Sequence, residues 1–238
     1  VALAAVIAAG LDGIDRQLEP PPPIDDDLYE LPPDELTRRG ATLQTILAPE
    51  PPVLQIGVNQ QGPTLVAAPK IFQGLLTFSP TLEPLPVLAK SWTISPDGKE
   101  YVFRLQENVK WHDGRAFSAE DVVFSITKFH MELAPRARAI FSLIETCEAA
   151  DPLTVRIVLK QPFQPFLLMF DATACAIVPK HLFDGQDFRT APAVQRPVGT
   201  GPFKFTEWQR GNFIRMDRYD GYWRPGQPYL DTIIWRIV

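Results

Sequence analysis

Apolar and polar positions alternate with period two at Tyr101, Phe103 and Leu105, set against Val102 and Arg104. That is the pattern of a half-buried strand. The preceding Pro96-Asp97-Gly98-Lys99 has turn chemistry, so Trp92–Ile94 and Tyr101–Leu105 are expected to form a hairpin. Val155, Ile157 and Leu159 repeat the alternation after a turn at Asp151-Pro152. Phe203 and Phe205, then Ile214 and Met216, predict a second hairpin around Arg210-Gly211-Asn212. Helical signals fall between these strands. Ser118 to Asp121 has the form of a capping box, and Val122, Ile126 and Phe129 follow on one face. Pro179 opens a short helix through Phe183. Leu54 to Val58 reads as a strand, and Val66 to Gly74 as a helix interrupted by Pro69. Tyr229 to Val238 reads as a last apolar strand with an unpaired, aggregation-prone edge. Strands interleaved with helices predict a mixed α/β fold.

Composition divides the chain. Residues 1–50 carry ten acidic and three basic side chains and one aromatic residue, Tyr29, of the 25 in the chain. Such a segment builds little core of its own. The rest, with all five Trp and all fifteen Phe, builds a core readily. A boundary is therefore expected near Ala48–Pro52, where Pro49, Pro51 and Pro52 forbid a continuous helix. The apolar start, Val1 to Gly10, lacks an initiating Met and a basic region and runs straight into Asp12 and Asp15, unlike a signal peptide. It reads as a short helix, followed by an extended stretch at Pro20–Pro23. No apolar run reaches the roughly 18 residues that span a bilayer. A net charge of -5 gives nucleic-acid binding no support.

Ala8 to Ile14 and Asp25 to Pro33 resemble the extreme C-terminal tail of bacterial type I glutamine synthetase. The resemblance covers about the first 45 residues. It implies that Tyr29 occupies the position of a tyrosine that can be adenylylated. Asp26 replaces the usual basic residue there, and Gln17 stands where an upstream lysine is common. The family's ATP, metal and glutamate sites lie upstream of the matching tail, so the resemblance implies no synthetase activity; an inactive synthetase fragment or fusion is the alternative reading of the chain.

A second set of motifs runs through the remainder: Pro86 to Trp92, Ser95 to Gly98, Val109 to Gly114, Ser118 to Phe124, Ile177 to His181, Pro197 to Phe203, Tyr222-Trp223 and Pro228 to Asp231. In this order they closely resemble the family 5 extracellular solute-binding proteins, the oligopeptide, dipeptide and nickel receptors of ABC importers. The resemblance runs from about Val53 to the end. It implies a periplasmic-binding-protein-like (type II) α/β fold, first lobe only, preceded by an extended helix-plus-coil tail. The expected organisation is residues 1–48 as the synthetase-like tail and 53–238 as the N-terminal lobe, ending before the second lobe. The implied partners are an oligopeptide or other small solute and the membrane permease of an ABC importer. The implied location is periplasmic or extracytoplasmic, with no cofactor and no catalysis. Because the synthetase tail is cytoplasmic in its family, the join is read as artificial, through gene fusion or a faulty gene model.

The individual motifs carry little catalytic chemistry. In Trp111-His112-Asp113-Gly114 the indole is expected in the core, Asp113 in a turn and Gly114 at positive φ. Gly199-Thr200-Gly201-Pro202 lacks the third glycine of a dinucleotide site and the Gly-Lys pair of a P-loop, and reads as a tight turn into a strand. His112, His130 and His181 have no metal-ligand spacing; His181 is expected at the surface or capping a helix. Cys147 and Cys175 read as two buried thiols. The binding candidate is the loop Asn59, Gln60, Gln61, Gly62, Pro63 and Thr64. The resemblance places it at the cleft, and its uncharged groups suit a peptide backbone. Arg136 and Arg138 read as a solvated face, with pairing to a ligand carboxylate as the alternative.

Overall fold

A computed structural model describes residues 42–238. Tyr29 and nearly all of the synthetase-like segment lie outside the described residues. Two four-stranded sheets organise the rest. In the first, β1 (Thr42–Leu47) runs parallel to β10 (Thr232–Ile237), which is antiparallel to β9 (Phe213–Arg218), itself antiparallel to the edge strand β8 (Phe203–Gln209). In the second, all antiparallel, the order is β4 (Ala89–Ile94), β5 (Glu100–Leu105), β7 (Thr154–Leu159) and β6 (Ile144–Asp151). A small ribbon of β2 (Leu76–Phe78) and β3 (Pro84–Pro86) leads into the second sheet.

Both expected hairpins form. Gly98 at φ 69° closes β4–β5, and Gly211 at φ 70° closes β8–β9. Tyr101, Phe103 and Leu105 point into one core with Val155, Ile157 and Leu159. Each fully buried side chain of this kind contributes about 1.5–3 kcal/mol of transfer free energy. The same core takes Val122 and Ile126 from the helical run that begins at Ala119, together with Trp111, Phe166 and Phe170. The first sheet has its own core of Leu54, Ile56, Ile71, Phe72, Ile214, Met216 and Trp235. The described part of the lobe is thus two sheet-centred halves. A third cluster of Phe124, Phe129, Phe183 and Phe188 packs where the helices meet, with Phe129 and Phe183 ring centroids 4.9 Å apart.

Three expectations are corrected, and a fourth element comes where none was expected. Leu54–Val58 is not a strand. Leu54 and Ile56 are wholly buried, but the chain turns there, with Val58 and Asn59 N–H both donating to the Gln55 carbonyl. Gly57 lies so close under Phe129 that a Cβ would stand 2.3 Å from its ring. The helix expected at Val66–Gly74 lies earlier, at Gly62–Ala67, with its proline in the first turn where no N–H is needed; Ala68–Lys70 follows as a 3-10 turn around Pro69. The first strand, Thr42–Leu47, falls inside the segment assigned to the tail and pairs with β10 along its length. Finally, β10 has neighbours on both sides and is an interior strand.

Candidate functional site

The motifs that carry the solute-binding resemblance interlock. Asp121 is the hub. It is 5% exposed, and its carboxylate accepts hydrogen bonds from Ser118 N (2.9 Å), Lys180 N (2.9 Å) and Trp111 Nε1 (3.4 Å). Burial raises its pKa against the pull of these donors. One side chain therefore joins three motifs distant in sequence. Ser125, a turn later, donates to the Asp121 carbonyl (2.7 Å) and accepts from Val178 N (3.0 Å). His181, partly exposed at the surface, meets Asp113 at 2.6 Å.

His112 ties the second-sheet half to the first. Its N–H donates to the Gly199 carbonyl (2.9 Å), the Gly199 N–H donates to its Nδ1 (3.3 Å), and its Nε2 donates to the Gly201 carbonyl (2.9 Å). Its ring packs edge-on against Tyr219, whose hydroxyl donates to the Trp111 carbonyl (3.0 Å). On its other side the turn Gly199–Pro202 packs tightly on the backbone at 70–71: a Cβ on Gly201 would sit 2.5 Å from the Lys70 carbonyl oxygen. Gln73 makes a parallel tie. Its Nε2 donates to Tyr222 Oη, while its Oε1 accepts from Trp223 Nε1 (3.0 Å) and Thr200 Oγ1 (3.2 Å).

The loop 59–64 divides into scaffold and exposed tip. Asn59 Oδ1 accepts from Gln61 N (3.0 Å) and Thr64 Oγ1 (2.8 Å), and Thr64 also reaches the Val53 carbonyl (2.9 Å). Thr64 is fully buried, so it and Asn59 hold the loop's shape. Pro63 sits in the first helical turn. Gln60, Gln61 and Gly62 are exposed. Of the six, Gln60 lines a cavity of about 240 Å³, together with Leu65, Arg136, Ala137, Leu168, Asp171, Thr173 and Ala174.

This cavity lies between the two halves. Leu65 packs on the first-sheet core, Ala137 and Ala174 belong to the second. Arg136 is exposed and has no hydrogen-bond or ion-pair partner among the described residues. Arg138 is exposed, as expected of a solvated face, and from there donates to the Met131 and Glu132 carbonyls, both at 2.6 Å, capping the helix end. Asp171 Oδ1 accepts from Thr173 N and Oγ1, an Asx turn that aims the threonine hydroxyl. Leu168, 44% exposed, adds an apolar wall. Asp171, Thr173 and Leu168 were not singled out from sequence, although Asp171-Ala172-Thr173 is a readable turn signal.

Other groups are structural. His130 is wholly buried, its Nε2 donating to the Ala176 carbonyl at 2.7 Å. Cys147 and Cys175 are free thiols; burial, then Glu148, pushes the Cys147 thiol up to about 12, and burial raises that of Cys175 as well. Neither is a reactive thiolate. Among the described residues no His, Cys, Asp or Glu cluster suits a metal ion, and no helix is long and apolar enough to cross a membrane.

A periplasmic-binding-protein-like α/β lobe with interlocked signature motifs and a polar cavity between its halves defines a solute receptor's architecture. Residues 83–238 match the bacterial extracellular solute-binding proteins, family 5 Middle, and the chain belongs to that family. Residues 1–48 match the glutamine synthetase catalytic domain. The glutathione-binding protein GsiB of Pectobacterium atrosepticum is 36% identical over 174 residues, which is 72% of this chain and 33% of that protein. The chain thus spans about a third of the length of the curated relatives it matches. Among solved structures, NikZ of Campylobacter jejuni in complex with Ni(L-His) aligns with TM-score 0.72 at 30% identity, covering 83% of this chain and 39% of that one. DppA of Helicobacter pylori, with a bound peptide STSA, gives the same score and identity and is covered to 43%.

Proposed function

We propose that this chain supplies the first lobe of the substrate-binding component of an ABC importer. In this reading it forms one wall of a site that takes a peptide or similar small solute outside the cytoplasm, for delivery to a membrane permease. The observation that carries the reading is that Gln60 and Arg136, whose guanidinium has no partner among the described residues, line one cavity between the halves. A planar guanidinium pairs with a carboxylate through two parallel hydrogen bonds. The Gln60 amide both donates and accepts, and the Thr173 hydroxyl, whose proton goes to Asp171, accepts, as a peptide backbone requires. Glutathione, a short peptide and a histidine complex, the ligands named for the relatives, are all built from amino acids and offer carboxylate and amide or amine groups. Their shared chemistry fits this set of side chains. Synthetase activity is no part of the reading.

The test is a nuclear magnetic resonance titration of the uniformly 15N-labelled chain with glutathione and with trialanine. One wall alone is expected to bind weakly, with Kd on the order of 1 mM, or about −4 kcal/mol. Amide shifts should centre on Gln60, Ala137 and Thr173, and Arg136→Ala should remove them. Titrations that leave those amides unmoved, or that move them equally in Arg136→Ala, would overturn the reading, as would ATP-dependent glutamine formation by the purified chain.

A further inference from the structure

The polar groups that join the two halves include one that exists in a single protonation state. His112 has its Nδ1 accepting from the Gly199 amide and its Nε2 donating to the Gly201 carbonyl, so both ring nitrogens are spent on one short backbone segment. Only the neutral imidazole with its proton on Nε2 satisfies both partners. A second proton, on Nδ1, would face the Gly199 N–H and expel it. We propose that His112 is a proton-operated clasp, closed when neutral, that holds the two sheet-centred halves of the lobe together and so sets the shape of the cavity between them.

The placement supports this. His112 belongs to the loop that carries Trp111 of the second-sheet core, while the segment it grips leads directly into Phe203 of the first-sheet core. The cavity has the same division, with Leu65 on one side and Ala137 and Ala174 on the other. The groups facing the ring are few. Tyr219 packs edge-on against it at 4.8 Å, Lys204 of β8 disfavours a second positive charge, and Asp113 of its own loop favours one but is held by His181. Burial of the ring dominates and keeps its pKa down at about 4, with the Gly201 carbonyl pulling the other way. The clasp therefore stays shut at neutral pH and opens at the Gly199 N–H in acid, while the His112 N–H and Nε2–H keep their bonds to the Gly199 and Gly201 carbonyls. The clasp stands on its own geometry; its effect on a solute rests on the function proposed above.

The tests separate the two. Long-range 15N spectra of the whole chain should show His112 as the Nε2–H tautomer at neutral pH, titrating near 4. The hydrogen-exchange protection of the Gly199 amide should be lost in the same step, while the Phe103 and Ile157 amides of the second sheet keep theirs. In His112→Gln, neutral throughout, Gly199 protection should no longer follow pH; should that variant fail to fold, the wild-type titration decides alone. An Nδ1–H tautomer, or a ring that titrates fully while Gly199 stays protected, overturns the clasp. Glutathione-induced shifts at Gln60 and Thr173 should vanish as the clasp opens in the wild type and persist at the same pH in His112→Gln. Their persistence in the wild type overturns the link to the cavity, and their absence at neutral pH overturns the proposed function and leaves the clasp to the exchange result.

Discussion

The carboxylate of Glu50 accepts a hydrogen bond from the indole Nε1 of Trp208 at 2.7 Å, across 158 positions of sequence. Its other oxygen accepts from Gly211 N at 3.2 Å. Arg210 lies 3.6 Å over the Trp208 ring and donates to the Pro51 and Pro52 carbonyls. The proline-rich stretch where a boundary was expected is thus strapped to the β8–β9 hairpin, with β1 in the sheet just before it. A chain beginning at Thr42 should therefore be markedly more stable than one beginning at Val53. The shorter chain loses buried Leu47 and half-buried Leu43, about 2–4 kcal/mol, and the half-exposed Glu50 ties, about 1 kcal/mol. Urea unfolding of the two truncations measures the difference. Equal midpoints would return the boundary to residues 48–53.

Asp121 should be the costliest single polar substitution in the lobe. Asp121→Asn keeps the shape but puts an amide donor where one carboxylate oxygen now accepts. That leaves a buried N–H of Ser118, Lys180 or Trp111 facing another donor, a loss of about 2–3 kcal/mol. Glu120→Gln is the control. Its bond to Lys180 Nζ at 2.8 Å is largely exposed, and its removal should change stability by no more than about 0.5 kcal/mol. Denaturant midpoints of the two variants that coincide would contradict the hub role of Asp121.

The legible parts of the fold are those decided locally. Gly98, Gly211, Ser118 with Asp121, and the alternation at 101–105 and 155–159 each settle their own element within a few residues, and the structure agrees with each. The failures come where distant residues decide. Leu54–Val58 has the composition of a strand, but Gly57 must slide under Phe129 and the chain turns. β6, Ile144–Asp151, shows no alternation because two register shifts against β7 break its period. β1 was hidden by the acidic segment before it, and its partner lies at the far end of the chain. The cavity is the extreme case. Gln60 was within reach of sequence, but its neighbours come from positions 136, 168, 171 and 173, and only the packing of two cores brings them together.

Leu82 offers a gain in stability. It stands at φ 63° at the tip of the β2–β3 ribbon, where Ser79 Oγ accepts from Thr81 N and Glu83 N, and it is 66% exposed. A leucine in the left-handed region costs about 1–2 kcal/mol, and so exposed a side chain recovers little of that by burial. Asparagine tolerates the conformation. Leu82→Asn should stabilise the chain by about 0.5–1 kcal/mol and raise Tm by roughly 2–3 °C. Calorimetry would show it, and a lowered Tm would mean that Leu82 is held by contacts worth more than the strain.

His130 should make the lobe acid-labile. Its ring is fully buried; burial holds its pKa down to about 4, against the pull of the Ala176 carbonyl on Nε2. Nδ1 has no partner among the described residues. In the unfolded chain the same group titrates at about 6.5. Below that value the unfolded state binds a proton that the native state refuses. The contribution is therefore complete above pH 6.5 and is lost as pH falls toward about 4, a swing of roughly 3 kcal/mol. In His130→Gln the amide can still donate to the Ala176 carbonyl but cannot titrate. The variant should be less stable than wild type at neutral pH, because glutamine fills the site imperfectly, and should lose less stability between pH 6.5 and pH 4. Denaturant unfolding at a series of pH values measures both curves. Carboxylate titrations are common to the two and cancel in the difference. Parallel curves across that window would show that His130 accepts its proton in the folded lobe as readily as in the unfolded chain.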